Sequence, residues 1–302
     1  MPALRKNAMK EPVIEQEVMI SEPIKSRRSV FERMVPLMWL ASMALSFIVG
    51  SYWTKVKYLE QLAANPAPAA GTAQPAAVQV TKEQIRKVFS QNVISFGNPD
   101  AKLLLIEVAD PSCPFCHAAA GHNPTLSKQM GAQFTLVADG GAYISPVQEM
   151  KKLVDSGKAA FAWIYSNGHG NGELATTVLY CAQDQGAFWK VHDKLMTSAG
   201  YDFMNNAPLK YEPTSLDTSK GLKKIVDADL GKYVNFVADT GINTKEMSDC
   251  LTSRKYVKRL IDEQSLATSL GTQGTPGFFL NERNFAGAYS WTDMKPVAEA
   301  AL

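Results

Sequence analysis

A chain of 302 residues that is 46% hydrophobic and 20% charged has the composition of a globular protein, with length for one large domain or two ordinary ones. A net charge of +2 without a basic stripe excludes a nucleic-acid binder. Four cysteines, Cys113, Cys116, Cys181 and Cys250, are too few for a disulfide-stapled miniprotein, so each is read in its own place.

Residues 1–33 are charged with little periodicity and read as a disordered cytoplasmic tail. Residues 34–53, "MVPLMWLASMALSFIVGSYW", carry no charge and are long enough to span the hydrocarbon core of a bilayer, so a transmembrane helix is expected over 34–54. Trp39, Tyr52 and Trp53 suit its interfaces. A buried core helix rarely runs this long without a polar interruption. A cleaved signal peptide has a shorter apolar region and a small-x-small site close behind it. Lys25, Arg27, Arg28 and Arg33 precede the span and only Lys55 and Lys57 follow it closely, which puts the N-terminus in the cytoplasm and the rest outside. Residues 55–80, including "NPAPAAGTAQPAA", read as an extended spacer, and the folded domain is expected over 81–302.

"AKLLLIEVAD", 101–110, is a continuous apolar run, as expected of a central strand buried on both faces. "PSCPFCH" follows. Pro114 is tolerated in a first helical turn, so Cys113 is predicted at a helix N-terminus with Cys116 one turn inside. The helix dipole and free first-turn N–H groups there favour the thiolate, the attacking species in disulfide exchange. Three chemistries fit these letters: a redox dithiol, a C-x-x-C-H haem attachment, or part of a zinc site with His117 and His122. Further on, 157–166 and 277–281 read as strands and roughly 173–270 as helical. In that region Leu174, Val178, Cys181 and Ala182 share one face, which Phe188, Val191 and Leu195 resume after Gly186. "YSWTDMKPVAEAAL" ends the chain as a helix. His169 reads as a loop residue and His192 as a helix-packing residue.

Taken together, "CPFC" after a strand, "CAQDQGAFWKVHDKLM", "CLTSRKYVKRLIDEQSLATSLG" and "GTPGFFLN" resemble the DsbA-like branch of the thioredoxin superfamily, the exported thiol–disulfide oxidoreductases of bacteria. The resemblance covers about residues 95–300. It implies an α/β thioredoxin-like fold with a helical insertion at about 172–270. It also implies a cis Thr275–Pro276 bond beside the dithiol, at the one kind of peptide that adopts cis cheaply. Glu107, six residues before Cys113, falls where the family often carries a buried acid able to exchange a proton with Cys116. The resemblance makes Cys113, Cys116 and Glu107 the catalytic set and Thr275, Pro276, Pro114 and Phe115 the substrate-binding set. Cys181 and Cys250 fall where related proteins often carry cysteines; they read as a structural disulfide or as two buried thiols, and an oxidising compartment favours the disulfide. No cofactor beyond the Cys113–Cys116 disulfide and no metal are implied.

The sequence also departs from the pattern. Segment 121–146 is longer than usual and reads as an extra hairpin or a substrate-facing loop. Phe115 stands where the strongest oxidants carry histidine, which implies a milder oxidant. Haem attachment would need His117 to face a pocket with a second axial ligand, whereas the motif is fused to a buried strand. His117 and His122, five apart on a helix, face differently, which disfavours zinc. The expected activity is therefore that of an exported, membrane-anchored thiol–disulfide oxidoreductase. It would form disulfides in extracytoplasmic proteins and be reoxidised by a membrane quinone reductase of the DsbB or VKOR type. A reductase or isomerase, or a non-catalytic assembly module on the same scaffold, are the alternatives.

Overall fold

The computed structural model describes residues 79–206, 211–212, 224–225 and 227–302, all within the compact unit Gln74–Leu302. The expected tail, the span over 34–54 and the spacer up to residue 78 lie outside the described residues. Among the described residues no helix is long and apolar enough to cross a membrane.

The first element among the described residues is α1 (Lys82–Val88), where Thr81 and Gln84 form a capping box that closes the first turn. Strands β1 (Ile94–Phe96), β2 (Leu103–Ala109) and β3 (Ala159–Tyr165) follow, the last two buried at every position. Two residues each of β4 (Tyr211–Glu212) and β5 (Lys224–Ile225) make a separate antiparallel ribbon. The chain then supplies β6 (Gly277–Leu280) and β7 (Arg283–Ala286). The main sheet has the order β1-β3-β2-β6-β7, with β2 and β3 parallel and every other pair antiparallel.

Alternation along β2 sorts the core into two layers. Leu104, Ile106 and Val108 face one side with Ile85, Val88, Ala267 and Phe279. Leu103, Leu105 and Ala109 face the other, with Cys113, Cys116 and the helical region. A period of two therefore puts Glu107 on the side of the cysteines.

That region comprises α5 (Glu173–Asp184), α6 (Phe188–Leu195), α7 (Ser198–Asn205), α8 (Asp227–Val237), α9 (Thr244–Ser253) and α10 (Val257–Ser269). The one-sided apolar stripe expected for α5 understates its environment: every residue from Glu173 to Ala182 is buried, because α6, α8, α9 and α10 pack around it. Glu263 of α10 ties this region to the sheet. Its carboxylate accepts the Tyr165 N–H and the Tyr180 O–H at 2.7 Å each and the Arg259 Nε–H at 2.8 Å.

Cys181 of α5 and Cys250 of α9 are joined in a disulfide across a sequence separation of 69. A closed loop of that size restricts the unfolded chain, so replacing both cysteines by alanine should lower stability by about 4 kcal/mol. Urea unfolding under non-reducing conditions measures this, and a loss below about 1 kcal/mol would show that the crosslink does not act through loop closure.

Segment 121–146 contains no hairpin. Asn123 caps α3 (Pro124–Gln129), and two 3₁₀ turns, Ala132–Phe134 and Val137–Asp139, follow. The stretch "AQFTLVADGGAYI" supplies the extra length that left room for a hairpin. Its backbone instead closes on itself locally, with Tyr143 N–H donating to Thr135 O and Val137 N–H to Tyr143 O. Pro146 then opens α4 (Pro146–Asp155), which packs against β3.

Candidate active site around Cys113 and Cys116

Strand β2 ends at Ala109, and a tight turn through Asp110, Pro111 and Ser112 delivers the chain into α2 (Pro114–Ala120). Cys113 is the N-cap residue in extended conformation, Pro114 occupies the first helical turn, and Gly121 at φ 77° ends the helix in the left-handed conformation that glycine adopts without strain. Ala118, Ala119 and Ala120 are buried and small, which lets the short helix lie close to α3 and α4.

The two sulfurs are both buried but are shifted in opposite directions. Cys113 is 4% exposed and Cys116 is fully buried. The Cys113 thiol is brought down from 9.0 to about 6, first by the hydrogen bond from the Cys116 thiol, then against burial by Thr275 and the Cys116 and Phe115 backbone N–H groups. Cys116 is pushed well up by burial, by the Cys113 sulfur and by Glu107. Of the two, Cys113 is therefore the sulfur that ionises at neutral pH.

Across from α2 the Thr275–Pro276 peptide is cis, and the Cys113 thiol donates to the Thr275 carbonyl at 3.3 Å. The Thr275 hydroxyl is buried and has no other partner among the described residues. Glu107 is fully buried between Trp163 and Phe278 on the neighbouring strands, both carboxyl oxygens lack partners among the described residues, and burial raises its pKa from 4.5 to about 8. The structure thus brings Cys113, Cys116, Glu107, Thr275, Pro276 and Pro114 together.

Phe115 points outward, 44% exposed, and meets Phe134 of the 121–146 segment edge-on at 5.5 Å; Phe134 in turn meets Tyr143 at 5.7 Å. That segment therefore borders the dithiol with aromatic surface.

His117 is turned into the interior. Its ring is buried, with Nδ1 2.9 Å from Met196 O and Nε2 2.9 Å from Pro111 O. Burial brings it down to about 4, so the ring is neutral and one of these two contacts is an N–H···O bond while the other is not. With both nitrogens against backbone carbonyls, neither a haem iron nor zinc can use this side chain. Among the described residues no group of three or more His, Cys, Asp or Glu is arranged to hold a metal ion.

Two groupings escaped the sequence reading. His122 Nε2 and His192 Nδ1 both lie 3.0 Å from Asp193 Oδ1, so His192 is more than a packing residue. Asp110, fully buried, accepts backbone N–H groups from the "NGHGNG" loop, His169 among them at 2.7 Å. No local signal marks either grouping, because their members are 58 or more residues apart, save for the adjacent pair His192 and Asp193.

Residues 145–300 match the Thioredoxin_4 family model, described as thioredoxin. Two curated relatives are the Na(+)/H(+) antiporters NhaA 1 of Salinispora arenicola, 23% identical over 209 residues, and NhaA 3 of Salinispora tropica, 24% identical over 197. The matches cover 68% and 64% of this chain but 24% and 22% of those proteins, so the chain spans about a quarter of the length of the curated relatives it matches. Similar solved structures include a thioredoxin-like oxidoreductase from Silicibacter pomeroyi, at 16% identity and TM-score 0.47, covering 74% of this chain and 98% of that one. BdbD from Bacillus subtilis matches at 17% and TM-score 0.46, covering 69% and 92%. The thiol-disulfide exchange protein alpha-DsbA2 from Wolbachia pipientis matches at 16% and TM-score 0.46, covering 73% and 95%.

Proposed function

From the premise that the chain belongs to the Thioredoxin_4 family, we propose that it is a thiol–disulfide oxidoreductase of the DsbA type acting through Cys113 and Cys116. The observation that carries this reading is the placement of the two sulfurs, Cys113 at a helix N-cap 3.3 Å from the carbonyl before the cis Pro276 and Cys116 fully buried one turn further in, which favours ionisation of Cys113 over Cys116.

In the oxidising direction, a substrate thiolate attacks the Cys113 sulfur of the disulfide. The Cys113–Cys116 bond breaks, a substrate–Cys113 bond forms, and Cys116 leaves as a thiolate. A thiolate there is disfavoured by burial, so it takes up a proton, and the neutral Glu107 carboxyl beneath it is the donor. A second substrate thiolate then attacks the substrate sulfur of the mixed disulfide and releases Cys113 as the stabilised thiolate. Two electrons pass from substrate to protein, and a favoured leaving thiolate makes the disulfide more oxidising. Thr275, presented by Pro276, supplies backbone groups that an extended substrate segment can pair with. Pro114 and Phe115 form the facing rim.

The substrates would be protein thiols outside the cytoplasm, with the domain held to the membrane by the span over 34–54 and reoxidised by a DsbB- or VKOR-type quinone reductase. No haem, zinc or other cofactor enters this scheme.

The test is equilibration of the full chain in glutathione buffers of graded potential, with acid quenching, alkylation and mass analysis of Cys113 and Cys116. An oxidase becomes half reduced at a potential above about −200 mV, whereas a midpoint near about −270 mV marks a reductase. A pair still oxidised below about −300 mV is a structural disulfide and refutes the proposal.

A further inference from the structure

The carboxylate of Asp110, one residue beyond β2, lies fully buried at the foot of the dithiol turn. Oδ1 accepts the Ser112 N–H at 2.8 Å and its hydroxyl at 2.7 Å. Oδ2 accepts three successive backbone N–H groups, from Gly168 at 3.0 Å, His169 at 2.7 Å and Gly170 at 3.4 Å. The Ser112 hydroxyl oxygen in turn accepts the Asn171 N–H at 3.3 Å. One side chain thus fastens the loop after β3 to the turn that carries Cys113, whose own N–H donates to the Asp110 carbonyl at 3.0 Å.

The fastened loop reaches the opposite wall of the site. A Cβ on Gly168 would stand 2.0 Å from the Thr275 hydroxyl oxygen, and one on Gly172 would stand 1.9 Å from Asp110 Oδ1. Only glycine allows so close an approach, so the loop is a spacer wedged between the carboxylate and Thr275. We propose that Asp110 is a positioning residue for disulfide exchange: by clamping the 168–170 turn against Thr275, it sets how the Thr275 hydroxyl and carbonyl face the Cys113 sulfur.

This rests on the oxidoreductase reading and extends it to a residue that touches neither sulfur. Two variants test it: Asp110→Asn, which keeps the shape but turns one acceptor into a donor facing N–H groups, and Gly168→Ala, which displaces Thr275 while leaving the carboxylate intact. The readout is the ultraviolet thiolate titration of Cys113 in the reduced full chain, with its alkylation rate at pH 6.

Positioning predicts that both variants move the titration midpoint upward by roughly one pH unit and slow alkylation about threefold or more. The sign is diagnostic. Were Asp110 only a nearby negative charge, neutralising it would shift the titration downward, which overturns the proposal. Were it only structural glue, both variants would lose stability and titrate like the wild type, which also overturns it. Should Asp110→Asn fail to fold, Gly168→Ala decides the matter alone. A wild-type protein that does not exchange with glutathione refutes the oxidoreductase reading, and this proposal with it. A wild type that exchanges, with variants that titrate unchanged, removes only the role of Asp110.

Discussion

Replacing Cys113 with serine will lower disulfide exchange between the full chain and glutathione by about a thousandfold or more, whereas replacing Cys116 will leave a protein that reacts once and stalls. A serine hydroxyl is not ionised near neutral pH and cannot form the mixed disulfide, so Cys113→Ser removes both the attacking anion and the sulfur that substrate attacks. In Cys116→Ser the Cys113 sulfur keeps Thr275 and the Cys116 and Phe115 N–H groups around it. The introduced hydroxyl can still donate the hydrogen bond that the Cys116 thiol provided, but it cannot resolve a mixed disulfide. Reduced Cys116→Ser exposed to oxidised glutathione should therefore accumulate a single adduct on Cys113, visible by mass. Retained exchange in Cys113→Ser, or an adduct rate in Cys116→Ser no faster than that of an unperturbed thiol at pH 6, would contradict the assigned roles.

The parts of the fold that could be read from the sequence are those whose signal is local and strong. Strands β2 and β3 are buried on both faces, so each is a short continuous apolar run bounded by turn residues, which marks a buried strand by its length. Cys113, Cys116 and the Thr275–Pro276 pair are short patterns at structural transitions. Glu107 announces itself as a charge inside an apolar run, and strand parity alone then selects its side of the sheet.

What stayed hidden depends on the third dimension. Strand β7 buries one residue of four and β1 has only three residues, too few for a period to emerge. The length of 121–146 left room for an extra hairpin, but Gly140 and Gly141 let that segment fold back onto Thr135 and Leu136 instead. Asp110 could not be singled out because the partners that tie it to the 168–170 turn are backbone N–H groups 58 to 60 positions away, and a backbone donor carries no residue signature.

Glu107→Gln should make the protein more stable and a poorer catalyst, with both effects set by pH. The carboxyl ionises near 4.5 in the unfolded chain and at about 8 in the folded one, because burial between Trp163 and Phe278 leaves its charged form without solvation. A carboxyl raised on folding binds its proton more tightly in the native state. Its contribution is fully present below about 4.5 and is lost as pH climbs through 8. Glutamine does not titrate, so the stability of Glu107→Gln relative to wild type should rise steadily over that interval and level off above it. Each tenfold difference in proton affinity between the folded and unfolded chain is worth about 1.4 kcal/mol, so the whole rise amounts to a few kcal/mol. Urea unfolding at intervals from pH 5 to 9 measures it, and parallel curves for the two proteins would mean that the carboxyl is solvated after all.

Exchange runs the other way. At pH 7 the wild-type carboxyl still holds the proton that the departing Cys116 needs, and the amide has none to give, so exchange should slow about a hundredfold. Above pH 9 the wild-type group is itself ionised and the two rates should converge. An unchanged rate at pH 7 would leave Glu107 as a buried acid that costs stability without serving the dithiol. A gap that persists unchanged at pH 9 would place its effect in packing rather than in proton transfer.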